Sequence, residues 1–471
     1  MKMKVSALMV ALLLSVFALQ GRAAAQLPAY QTAFTSSITY QNVGSAPANI
    51  SLEVYNTSGG TFSPSLAPLA VNGAGSYFVG QINALGTSFN GSAVMSSDQP
   101  VVATIVQVPT STTVKNRPLS NGFSSGSNSV LVATVLKNTA GYNSKVVIQN
   151  TDSAPNNFMV EFVSAATNTV FHTINQTNVA PNTSVYYDAG TIVALGAAFN
   201  GSMRITATKT TGGGAGSAVA TSLELEIAGN GAYAFQGVPS TSAATTVYMA
   251  TALCNLLVGG VPAPNNKATT AYAIQNTGNA MATVTITYKG AATITQNLSI
   301  PAGSKLSANP CTAGAGDGFS GSATIVSSQP IVAIGKVFGA GLTTAFEGAT
   351  AGAAKIALPY ARWLPAASGG QQTFIAIQNI GGSPVGPVTV KYYTSAGVLA
   401  GTQTIATIAS GAKAGSSPFG ATPSLTNFGS GGGSAIIEGP AGSSLIAIAR
   451  IQTPLAGGGA VAEDYNGQPV E

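Results

Sequence analysis

Charge is what this chain has least of. Only 7% of its 471 residues are Asp, Glu, Lys or Arg, against roughly 25% in an average globular protein. A surface built from Thr, Ser, Asn, Gln, Gly and Ala repels its neighbours weakly, so it suits packing against copies of itself or carrying sugars. Histidine is almost absent too. His172 stands alone, which excludes a multi-histidine metal site, and no nucleophile-base triad is evident around it. A solvated strand histidine is expected there.

Acidic residues are few and scattered. Asp98, Asp152, Asp188, Asp317 and Asp464 fall in or near expected turns, and none forms an acidic calcium loop. Glu224 and Glu226, two apart, share one face of a strand, whereas glycosidase chemistry needs carboxylates placed across a cleft. They are expected on a solvated edge strand. Gly212-Gly213-Gly214 and Gly431-Gly432-Gly433 lack the Lys-Ser/Thr that a phosphate loop requires and are expected to be hairpin tips. No catalytic residue, metal ligand or cofactor-binding residue emerges, so no enzyme and no cofactor are expected.

Long hydrophobic runs are missing except at the start. Lys2 and Lys4 precede an apolar stretch from Val5 to Leu19, and Ala23, Ala24 and Ala25 follow. That order of basic, apolar and small residues reads as a secretory signal peptide, residues 1–25, cleaved before Gln26. Lys2, Lys4 and Arg22 would leave with it, and the chain would drop from +5 to about +2. No basic stripe remains for phosphates, so nucleic acid is not an expected partner. No membrane span is expected after cleavage, and the expected location is extracellular, at the cell surface.

What the chain does have is repetition. Strands ending in Gln41-Asn42, Gln149-Asn150, Gln275-Asn276 and Gln378-Asn379 recur at spacings of 108, 126 and 103 residues. Each leads through a turn such as Val43-Gly44-Ser45-Ala46-Pro47 into a strand of alternating polarity, clearest in Ala282-Thr283-Val284-Thr285-Ile286-Thr287-Tyr288. A period of two buries one face and wets the other. About fifty residues later comes Phe89-Asn90-Gly91-Ser92, Phe199-Asn200-Gly201-Ser202 or Phe319-Ser320-Gly321-Ser322, with a looser form from Phe428 to Ser434. Asn-Gly there is expected to supply a turn with positive φ. Gln99-Pro100 and Gln329-Pro330 are expected to be turns between strands, leading into Val101–Val106 and Ile331–Val337. Repeats two to four close on an aromatic-x-Gly element, Phe235-Gln236-Gly237, Phe346-Glu347-Gly348 and Tyr465-Asn466-Gly467, and Asn121-Gly122-Phe123 takes that place in repeat one.

The expected fold is therefore all-β: four tandem Ig-like β-sandwich repeats of about 100–125 residues, at 26–122, 123–237, 238–348 and 349–471. A unit of that length can bury a core of its own, which makes four beads on a short string. Repeats two to four carry an apolar leading strand ahead of the Gln-Asn strand. Repeat one has only 15 residues between Gln26 and Gln41, so it is expected to lack a full leading strand. The edge left behind is either covered by a loop or open to a strand from another chain.

Cys254 and Cys311, the only cysteines, both fall in repeat three, where secretion permits a disulfide. Closing such a loop contributes about 4 kcal/mol on the chain-entropy model. Asn-x-Ser/Thr sequons at Asn49, Asn56, Asn90, Asn175, Asn182, Asn200 and Asn297 are candidate glycosylation acceptors. Trp363, the only tryptophan, is placed with Tyr360 and Arg362 in the leading strand of repeat four, where packing or an inter-repeat contact is expected ahead of a sugar shelf.

Taken together, the leading strand, the Gln-Asn strand, the Ser-Ala-Pro turn, the Phe-Asn-Gly-Ser element and the aromatic-x-Gly end resemble bacterial secreted tandem β-sandwich repeat proteins of the cell surface. The resemblance covers essentially the whole chain after residue 25. Repeat one departs from it by lacking the leading strand, and repeat four by its looser Phe428 element. It implies an extracellular, β-rich protein and transfers no active site. The expected function is a non-catalytic structural protein, a subunit of a filament, sheath or surface layer. Its partners would be copies of itself or other cell-surface proteins. The alternative is an adhesin or carbohydrate-binding array that takes glycans.

Overall fold

The computed structural model describes residues 33–86, 88–110, 116–258, 263, 265–455 and 460–470. The expected signal peptide, residues 1–25, and its expected cleavage site lie outside the described residues. Strands dominate throughout, and they group into paired antiparallel sheets, repeat by repeat.

Repeat two shows the plan most fully. One sheet runs Val170–Val179, Asn156–Ser164, Phe199–Lys209, Ser129–Lys137 and Val238–Pro239. The facing sheet runs Ser184–Asp188, Tyr142–Asn150, Ala218–Glu226 and Ala232–Gln236. Phe158, Phe162, Phe199, Met203 and Ile148 fill the space between them, fully buried. Repeat four repeats this order strand for strand. In repeat three a single strand, Phe319–Gly339, serves both sheets: its first half pairs with Ala282–Lys289 and its second with Lys267–Asn276. Gln329-Pro330 is thus no turn. It is the point where one continuous strand passes between sheets, and Pro330 fits because no ladder bond asks for its missing N–H there.

The Gln-Asn signature has a structural meaning that holds in all four repeats. The asparagine is buried, and its amide NH2 donates to two carbonyls: Ala46 and Leu69 from Asn42, Ala154 and Val179 from Asn150, Ala280 and Ile300 from Asn276, Ser383 and Ile408 from Asn379. Its Oδ1 accepts the backbone N–H two residues on, at Gly44, Asp152, Gly278 or Gly381. One side chain therefore pins the turn behind it to the loop on the opposite sheet.

The Phe-x-Gly-Ser element differs from the expected turn. Neither Asn90 nor Asn200 has a positive φ, and Asn200 lies inside the strand Phe199–Lys209. Glycine is needed for close approach instead. A Cβ at Gly91, Gly201 or Gly321 would lie 2.1, 2.1 or 2.4 Å from the carbonyl oxygen of Tyr55, Val163 or Lys289, with the element's own phenylalanine ring folded over the same spot. Phe428 covers Gly433 in the same way, so the looser form in repeat four is the same device.

Repeat one differs from the others among the described residues. Among the described residues Gly91–Ser97 pairs only with Ile50–Asn56, with no leading strand on its other side. The surroundings of Gly122 differ accordingly. A Cβ at Gly237, Gly348 or Gly467 would strike Val130, Val247 or Ile356 of the leading strand, whereas one at Gly122 meets nothing closer than 3.5 Å.

The string-of-beads expectation does not hold, because the repeats pack into a closed ring. Val332 and Ile334 of repeat three belong to the core of repeat two, Ile446 and Ile448 of repeat four to that of repeat three, and Val106 of repeat one to that of repeat four. In each case the strand after the Phe-x-Gly-Ser strand buries one face in its own repeat and the other in the preceding one. That is why Val101–Val106 and Ile331–Ile334 are apolar on both faces of the strand apart from Thr104.

Replacing Asn150 by Ala should cost about 2–4 kcal/mol, because it strands two carbonyls and an N–H in the interior. Urea denaturation of the full chain measures this; a loss under 1 kcal/mol would mean the pin is dispensable.

Candidate functional site: the polar axis of the ring

The joint between successive repeats is built the same way each time. A residue with positive φ, Asn72, Asn182, Gly303 or Gly411, forms a tight turn before the short strand that follows. The end of the alternating strand in the preceding repeat docks on that turn. Asn182 donates to the Tyr55 hydroxyl, Ser304 to the carbonyl of Ala165, Lys289 to that of Ser410, and Ala74 N–H to that of Ser395. The last of these joins repeat four to repeat one. The signature glutamines face these joints. Gln275 donates to Ser202 of the preceding repeat at 2.9 Å, and Gln378 to the carbonyls of Ala323 and Gly411. Gln149 donates to the Asn182 carbonyl, which also takes the Ser92 hydroxyl of repeat one.

The closing elements meet at the centre. Their variable positions, Asn121, Gln236, Glu347 and Asn466, make a circuit of hydrogen bonds that passes through all four repeats. Asn121 donates to the Asn466 carbonyl at 2.8 Å and Gln236 to the Asn121 carbonyl at 3.0 Å. The Gln236 N–H donates to the Glu347 carboxylate, the Glu347 N–H to Asn466 Oδ1 at 3.0 Å, and the Asn466 amide to the Glu347 carbonyl at 2.7 Å.

Around this circuit sits much of the chain's sparse charge. Lys336 of repeat three pairs with Glu224 of repeat two, and Arg117 of repeat one with Glu463 of repeat four. Arg450 pairs with Asp464, which also accepts the Thr344 hydroxyl of repeat three at 2.8 Å. Two expectations are corrected here. Glu224 is fully buried on an inner strand, not solvated on an edge, and Asp464 lies inside the strand Ala460–Asn466, not near a turn. Both were misplaced for one reason: a lone carboxylate reads as solvated until its cation, more than a hundred residues distant for Glu224, is seen beside it.

Glu347 has no such cation among the described residues. Burial pushes its carboxyl up to about 7, against the pull of the Gln236 N–H and its own backbone. Half-buried Lys305, which donates to Thr134 of repeat two, is pushed down to about 7 by desolvation and then by Lys336.

A cleft of about 430 Å³ opens where all four repeats meet, lined by Asn116, Tyr142, Glu226, Tyr233, Phe338 and Leu455 among others. Two of its polar residues bond to the chain itself: Glu226 accepts the Gly231 N–H, and Asn116 donates to the Ala232 carbonyl. No group of three His, Cys, Asp or Glu residues that could hold a metal ion occurs among the described residues.

The remaining candidates are dispersed. Cys254 and Cys311 are bonded to each other, tying the end of a leading strand to a loop of repeat three. Asn49, Asn90, Asn175, Asn200 and Asn297 are exposed, while Asn56 and Asn182 are half-buried. Asn182 is occupied at the joint with Tyr55, so a glycan on it is incompatible with that joint. His172 is half-buried and stacks on Phe162 at 6.1 Å. Trp363 lies beyond the leading strand Lys355–Leu358, packed between Phe374 and Phe419 of its own repeat. No helix among the described residues is long and apolar enough to cross a membrane.

No protein-family model and no curated protein matches the chain. Among solved structures, a tetra-tandem repeat in the extending region of a large adhesion protein aligns over 93% of this chain and 100% of its own, at 11% identity and a TM-score of 0.10. The native conformation of E. coli alpha-2-macroglobulin aligns over 92% of this chain and 28% of its own, at 8% identity and the same TM-score. Likeness at that level carries no argument about fold or function.

Glu347 gives the axis a pH signature. Its carboxyl is protonated in both folded and unfolded chains below its ordinary value of 4.5 and ionised in both above about 7. Its burial therefore costs nothing in acid, and the penalty grows as pH rises through that window. Glu347→Gln should melt higher than the parent at pH 8, by up to ~3 kcal/mol, and match it at pH 4. Thermal melting at the two pH values checks this; equal differences at both would exclude an elevated carboxyl.

Proposed function

We propose that this protein is a non-catalytic structural protein of the extracellular surface, a subunit of a filament, sheath or surface layer. The observation that carries this reading is the character of its outward edges. Val170–Val179, Thr293–Ile300 and Leu399–Ile405 are edge strands of repeats two, three and four. None contains Lys, Arg, Asp, Glu or Pro. Proteins that stay monomeric blunt such edges with those residues, because an unpaired row of N–H and C=O groups is a template for another strand. Here the charge lies instead around the inner axis and at scattered surface sites. Phe171, Val398 and Leu399, at or beside these edges, are exposed as well. A rigid four-repeat block with uncharged edges is suited to side-by-side packing.

Placing a lysine on each edge, as Thr173→Lys, Thr295→Lys and Thr404→Lys together, puts new charge at three exposed positions. The parent protein should pellet and show ordered fibres or lattices in negative stain, and the triple variant should stay in the supernatant with an unchanged melting temperature. A parent that remains monodisperse and binds glycans on an array would favour an adhesin.

A further inference from the structure

The ring has one joint unlike the other three. Repeats one and two, two and three, and three and four are connected by the chain itself, whereas repeat four meets repeat one through side chains and backbone alone. That closing seam is made by Arg117 with Glu463, Asn121 with the Asn466 carbonyl, Gln468 with the Ala103 carbonyl, and Ala74 with the Ser395 carbonyl. It is also the least complete seam. Gln275 and Ser202 are hydrogen-bonded to each other across their joint, Gln378 and Ser322 share the Gly411 carbonyl, and Gln149 and Ser92 share that of Asn182. The corresponding residues here, Gln41 and Ser434, are buried without a hydrogen-bond partner, which makes this joint the cheapest to open.

We propose that the seam between repeats four and one is an intermolecular interface as well as an intramolecular one, its partner being repeat one or four of a second copy of this chain. The joint is head-to-tail: the face repeat four offers differs from the face repeat one receives. A head-to-tail contact closes a ring when the rotation allows and otherwise propagates. Opening one seam in each of two chains frees two Glu463 faces and two Arg117 faces, and pairing them crosswise restores both seams. Exchange conserves every contact, so the balance between closed monomer and linked chains is set by protein concentration against the effective concentration of the tethered ends. This inference rests on the assembly reading above and supplies it with a longitudinal contact, separate from the lateral edges.

Charge reversal tests it. Arg117→Glu sets two carboxylates against each other at the seam, and Glu463→Arg sets two guanidiniums, so neither variant can close its own ring or pair with its own kind. Mixed in equal amounts, each supplies what the other lacks, and both crosswise seams become attractive. Light scattering after size exclusion should show each variant alone at monomer mass and the mixture at twice that mass or higher even multiples. A mixture that stays at monomer mass, with both variants showing cooperative melting, overturns the proposal. Should either variant fail to fold, unlabelled and 15N-labelled parent protein are incubated together in urea just below the unfolding midpoint and returned to buffer. Native mass spectrometry should then find mixed-isotope dimers; finding only single-isotope species overturns it. Lateral fibres without isotope exchange would sink the seam and leave the assembly reading intact, whereas exchange without larger assemblies would do the reverse.

Discussion

The constraint on which the structure depends is the closing element of each repeat. A glycine there lets its N–H reach the neighbouring strand at 2.7–2.8 Å, from Gly122 to Ala103, Gly237 to Ala220, Gly348 to Ala333 and Gly467 to Ala447. That fixes where the preceding residue stands, and in every repeat it stands at the centre of the ring. Asn121, Gln236, Glu347 and Asn466 then hydrogen-bond to one another, which offsets part of the cost of taking them out of water. One local backbone rule, applied four times, produces a long-range polar circuit.

The circuit explains the economy of charge. A chain with 13 acidic residues buries Glu224, Glu463 and Asp464 and half-buries Glu347 where repeats meet. Three of them have a cation beside them. Buried pairs of this kind add little net stability over apolar packing but penalise any arrangement that separates them. The two that join different repeats, Lys336 with Glu224 and Arg117 with Glu463, specify which face of one repeat meets which face of another, a choice that apolar strands alone would leave open. The edge strands Val170–Val179, Thr293–Ile300 and Leu399–Ile405 carry no such charge, and the proposed assembly rests on that neutrality.

Much of the fold was legible in the residues. Alternation in Ala282–Lys289 declared a strand with one wet face, and the recurring Gln-Asn and Phe-x-Gly-Ser elements divided the chain into similar sandwiches. The short apolar run Ile331–Ile334 is buried on both sides, its outer face covered by the neighbouring repeat. Glu224 could not be placed this way, because its partner Lys336 lies in another repeat. The sharing of carbonyls between Gln378 and Ser322 was equally hidden: each residue reads as an ordinary polar side chain in its own repeat.

By itself, then, the amino-acid order determined the all-β class of the fold and the alternating faces of its strands, because strand periodicity and turn chemistry act between near neighbours. Tertiary structure alone decided that the modules close into a ring and which residues meet on its axis. Closure depends on the angle accumulated over three joints, and angles between separately folded units leave no trace in local patterning.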